Sequence, residues 1–103
     1  MPRNYSDKFL LGLYQEGNDG LGYDLAKVCV KANLPAAYVA KAVQVSRMAV
    51  YSWFRGAKIR YKNRKVVEAF IKLVSEDIEK GVLPAKNFAA SKKYIEGMIG
   101  MEI

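Results

Sequence analysis

Apolar positions along this chain recur with the 3.6-residue period of α-helices, and Gly and Pro punctuate them. Leu25, Val28, Cys29 and Ala32 fall at i, i+3, i+4 and i+7, which predicts a helix that follows the glycine-rich stretch EGNDGLG and ends near Asn33. Pro35 suits the first turn of a second, short helix through Val43, with Val39, Ala40 and Val43 facing inward. Two or three residues of turn follow. Ser46 is then a good N-cap for a third helix that runs to about Arg55 and stops at Gly56, a residue type suited to the left-handed position after a helix. A longer helix is expected from near Asn63, read as its cap, to about Lys80. Val67, Phe70, Ile71, Val74 and Ile78 form its buried stripe, with Glu68/Lys72 and Glu76/Lys80 as i, i+4 pairs outside. After GVLPAKN, a weaker amphipathic segment over 85–96 offers Phe88, Tyr94 and Ile95 for packing, and 6–14 suggests an additional helix despite Gly12. The expected fold is all-α, a compact domain of five to six helices.

Composition narrows the class. With 103 residues, 51% of them hydrophobic and 26% charged, the chain suits one folded domain over 1–103 and not a disordered segment. Its uncharged apolar runs, such as Phe9 to Tyr14 and Phe88 to Ser91, are far shorter than the ~18 residues of a membrane span, and no signal peptide or membrane partner is expected. A single cysteine and no histidine leave no internal disulfide and remove the usual zinc ligands, so no metal or cofactor is expected and a reducing cytoplasm fits best.

Charge changes the picture more. The net charge is +7, yet it is distributed unevenly. Between Leu25 and Val67 there is no Asp or Glu, while Lys27, Lys31, Lys41, Arg47, Arg55, Lys58, Arg60, Lys62, Arg64 and Lys65 supply ten positive charges. The flanks hold seven basic against ten acidic residues. All the excess therefore lies in the middle, where such a field concentrates polyanions. At about 100° per residue, Arg47, Met48, Tyr51, Ser52 and Arg55 share one arc of the third helix, and Ala49, Val50, Trp53 and Phe54 share the opposite one. The second arc predicts core anchors. Polar and cationic side chains on the first match what a DNA major groove accepts: donors for guanine and phosphate, and apolar contacts for thymine methyls.

The stretch LPAAYVAKAVQVSRMAVYSWFRG, residues 34–56, resembles the helix-turn-helix of the lambda-repressor and Cro family. Ala40 stands at the small position where the two helices approach, Val45 at the apolar turn position, Ser46 at the cap and Val50 at the buried position of the second helix, with Trp53 and Gly56 closing the motif. The likeness extends over about 21–80 through the order of helices, leaving an N-terminal extension over 1–20 and a C-terminal helical extension over 81–103. The resemblance implies a domain with a central helix-turn-helix that binds double-stranded DNA, as a phage or bacterial transcriptional regulator, often as a dimer. Arg47, Met48, Tyr51 and Ser52 are then expected at base edges or nearby phosphates, and Arg55, Lys58, Arg60, Lys62 and Arg64 along the backbone. Gln44 replaces the usual turn glycine, so the turn either holds a left-handed residue or takes another path. Ala36 replaces a frequent phosphate-binding glutamine, and that contact should be missing.

Other chemistries are poorly served. Cys29 on an apolar stripe reads as a small core residue. EGNDGLG lacks the alternating oxygen ligands of a calcium loop, Ser46 has no histidine to activate it, and Glu68, Glu76 and Glu79 lie on a solvated helix face. Neither enzyme activity nor a small-molecule substrate is expected. An alternative on the same fold is a protein-interaction module for the transcription or replication machinery, with Met48, Tyr51 and the C-terminal segment as contacts. RNA binding fits less well, since the aromatics of the third helix are expected inside. The segment over 82–103, with Phe88, Tyr94, Ile95, Met98, Ile99 and Met101, should pack on the domain or form a homodimer contact.

Overall fold

The computed structural model of the protein describes residues 5–15, 17 and 19–103, and among them the chain forms six helices and no strand. These are α1 (Asp7–Leu13), α2 (Leu21–Ala32), α3 (Ala36–Val43), α4 (Arg47–Phe54), α5 (Tyr61–Glu79) and α6 (Phe88–Ile99). Of the predicted EGNDGLG turn, Glu16 and Asn18 lie outside the described residues, as do residues 1–4 of the predicted N-terminal extension.

Local chemistry accounts for most boundaries. Ser6 and Ser46 cap α1 and α4, each side chain accepting from a backbone N–H three residues on, and Asn87 does the same for α6. Asn33 and Gln44 end α2 and α3 in the left-handed conformation, at φ 56° and 61°. Gln44 thus takes the first of the two paths open to it. Asparagine adopts this conformation readily, whereas glutamine does so at some cost in strain.

Three boundaries differ from expectation. Pro35 is the N-cap of α3, just outside its first turn, consistent with its missing N–H and fixed φ. Asn63 is not the cap of α5. That helix starts at Tyr61, and its N-cap Arg60 makes no side-chain hydrogen bond to the free N–H groups, so the capping signal pointed one turn too late. The last helix occupies Phe88–Ile99, three residues beyond the 85–96 segment, because Asn87 supplies the cap and Gly100 the left-handed end.

The core sits where α2 and α3 meet the rest: α2 packs on α1, α4 and α5, and α3 on α4, α5 and α6. Leu25, Cys29, Val39, Val50, Phe54, Val67, Phe70, Val74 and Ile95 are buried in it, much as the apolar periodicity implies. The two extensions belong to the same core. Asn33 Nδ2 donates to the Ala85 carbonyl at 2.8 Å, and the Ala85 N–H donates to Ala32 at 2.9 Å, tying the segment before α6 to the α2–α3 junction. Tyr5 donates to the Leu34 carbonyl at 2.6 Å and lies with Phe9 against Phe54, both ring centroids 6.1 Å away. Phe88 departs from its expected packing role, since it is exposed and touches the domain through the Tyr38 ring at 5.0 Å.

One close approach sets the depth of α4. A methyl group on Gly22 of α2 would stand 2.4 Å from the Trp53 carbonyl oxygen, and every atom it meets is Trp53 backbone. Gly22→Ala should therefore push the two helices apart and cost about 1–3 kcal/mol in urea unfolding. Gly12→Ala meets nothing within 4 Å and should instead stabilise by about 0.5–1 kcal/mol. Equal effects of the two variants would refute this account of the α2–α4 contact.

Candidate nucleic-acid interface

The buried half of α4 dictates what its other half can do. Val50, Trp53 and Phe54 are buried against the core, so the helix cannot rotate, and Arg47, Met48 and Tyr51 are left outside. Met48 is 74% and Tyr51 45% exposed. Ala49 and Ser52 are half-buried at the margins of the two faces. Ser52 contributes its carbonyl as well, accepting from the Arg55 and Ala57 N–H groups at 3.1 and 3.0 Å, which turns the chain out of the helix. At the other end of α4, Ala37, Ala40, Lys41, Val45 and Arg47 line a notch of about 250 Å³. That notch brings Lys41 of α3 beside Arg47 of α4, a proximity that spacing within one helix does not encode.

The cationic run continues from α4 into α5 along a path fixed by one buried side chain. Ile59 is in the core and anchors residues 57–60, so that Lys58 and Arg60 on either side of it are exposed. Tyr23 adds a second restraint from α2, donating to the Arg55 carbonyl at 3.1 Å. Gly56 is required there, because its φ is 97° and a side chain would collide with the Tyr23 hydroxyl at 2.5 Å. Arg55, Lys58, Arg60, Lys62 and Arg64 are all exposed. Tyr23 and Ile59 had no signal of their own in the sequence, since each acts through a partner more than 25 positions away or through depth alone.

The electrostatics of this surface favour an anion. The first turn of α5 contains no acid but does contain Lys62 and Arg64, although the positive end of a helix dipole prefers negative neighbours by about 0.3–1 kcal/mol each. Next to it, Asp19, Gly20, Leu21, Gly22, Lys58 and Arg64 border a hollow of about 270 Å³ at the start of α2, a helix whose first N–H groups have no side-chain cap. One acid and two cations thus face that hollow. Of the nine residues expected at the interface, Arg47, Met48, Tyr51 and Ser52 are grouped on α4, and Arg55, Lys58, Arg60, Lys62 and Arg64 extend from its end to the first turn of α5. Cys29 is fully buried, and burial pushes its thiol well above the usual range, so it remains protonated and inert.

In comparisons with known proteins, no family model matches this chain, and neither a curated protein nor a solved structure matches it.

Proposed function

We propose that the protein is a small double-stranded-DNA-binding regulator, of phage or bacterial type, that inserts α4 into the major groove as the second helix of a helix-turn-helix. One observation carries this reading. α4 is locked by Val50, Trp53 and Phe54, and its opposite face leads without an acidic residue into exposed Lys58, Arg60, Lys62 and Arg64. Arg47 and Tyr51 would meet base edges, and the cations after α4 would follow the phosphates and set orientation without specifying sequence. One such helix reads only a few base pairs, so two copies spaced by a helical turn belong to the reading. The likeness of residues 34–56 to the lambda-repressor and Cro motif supports it independently of charge.

Selection of bound duplexes from a random pool at two salt concentrations tests this directly. An enriched motif is the expected result, and absence of binding at both concentrations would overturn it. Arg47→Ala should cost about 1–3 kcal/mol and relax preference at one base pair; affinity and preference both intact would mean that α4 is not the reading helix. A second reading has its own observation. Met48 is a large, exposed apolar side chain on the same face, which suits a protein contact as well as a thymine methyl, and a Met48-dependent, salt-resistant complex with a polymerase or replication factor would favour it.

A further inference from the structure

We propose that the exposed face of α5 is the contact between two antiparallel copies of this chain. α5 reaches the core through Val67, Phe70 and Val74, with Ile71 and Ile78 packed at the edge of that stripe. It has a second one. Val66 and Leu73 are 46% and 49% exposed, with exposed Ala69 between them. Spacings of three and four residues put all three within an arc of about 60°, the arrangement of a helix–helix seam. The apolar surface does not stop at α5: Leu73 also walls a groove of about 470 Å³ whose α6 side is Lys93, Tyr94, Gly97 and Met98.

Charge identifies the occupant. Seven residues before Ala69 the stripe continues with Lys62, and seven after it with Glu76. More broadly, Lys62, Arg64 and Lys65 outnumber Glu68 in the first half of the helix, and Glu76, Asp77 and Glu79 outnumber Lys72 in the second, so the two halves carry opposite net charge. A helix with this distribution is complementary to itself when reversed. About a twofold axis at Ala69, Lys62 meets Glu76 of the partner subunit, Val66 comes within one residue, about 1.5 Å of helical rise, of Leu73 of the partner subunit, and both pairs occur twice, as an isologous contact requires. The small side chain at the axis lets the two helices approach closely. Parallel pairing would instead oppose like charges at both ends. The two-copy element of the proposed function would rest on this contact, whereas the contact itself rests on α5 alone and needs no DNA.

Sedimentation equilibrium without DNA, from about 1 µM to about 1 mM, tests the proposal. The wild-type chain should approach twice its 11.6 kDa mass, and Leu73→Lys should weaken association about thirtyfold or more. Lys62→Glu and Glu76→Lys should each be monomeric, since each sets like charges against one another twice. Mixed in equal amounts, those two variants should form a dimer again, because every pair is then opposite in sign. Circular dichroism melts verify that each variant is folded. A wild type that stays monomeric throughout, a dimer that survives both Leu73→Lys and Lys62→Glu, or a mixture that remains monomeric would overturn the proposal.

Discussion

Trp53→Ala is expected to lose about 3–5 kcal/mol of stability, the range for deleting a large buried aromatic side chain. Against the roughly 5–15 kcal/mol that holds a domain of this size together, that loss is enough to bring it near unfolding at ambient temperature. The indole is 5% exposed on the inner face of α4, whose carbonyl is already pressed against Gly22, so neither helix can move in to fill the space. Trp53 is the single tryptophan of the chain. Its removal abolishes the tryptophan fluorescence and leaves only that of the seven tyrosines, so circular dichroism in urea is the suitable measurement. Met48→Ala, one turn earlier on the outer face, should stay within about 0.5 kcal/mol of wild type. A loss below about 1 kcal/mol for Trp53→Ala would mean that α4 is not anchored as described.

The second large effect is on binding. Neutralising Lys58, Arg60 and Arg64 together to alanine should reduce affinity for any duplex about a hundredfold near 0.15 M salt. It should also flatten the slope of log affinity against log salt by about 2.7, which is 0.9 for each of three phosphate contacts. Lys62 is left unchanged in this variant, because it also begins the exposed stripe of α5 and its loss would confound binding with self-association. All three side chains are exposed, so stability should hardly change, and the first turn of α5 should even gain slightly as a cation leaves the positive end of its dipole. Titrations by fluorescence anisotropy at four salt concentrations measure the slope. An unchanged slope would place these residues away from the phosphates and remove the main support for DNA as the partner.

Part of this was legible before any tertiary structure. The inward faces of α2, α3, α4 and α5 follow from spacing alone, because a helix exposes a new side chain every 100° and apolar ones collect where water is excluded. Ser46 could be read as a cap because its hydroxyl satisfies an N–H only three residues away. The start of α5 could not. Asn63 carries a stronger local capping signal than Arg60, but the helix begins at Tyr61 once buried Ile59 fixes the preceding segment. Phe88 differs from expectation for a similar reason. Its apolar character is local, whereas its exposure depends on how α6 lies across α3.

For the candidate interface, the sequence by itself determined which residues carry charge, which face of α4 is apolar, and that no acid interrupts the run from Leu25 to Val67. These are properties of covalent order and helical period. Only the tertiary structure decided that Ile59 and Tyr23 steer the cations after α4, that Gly22 sets its depth, and that Val66, Ala69 and Leu73 are left uncovered on α5. Each of those facts depends on what a distant segment does with the same space. Packing is a property of pairs of elements, and spacing within one element cannot specify it.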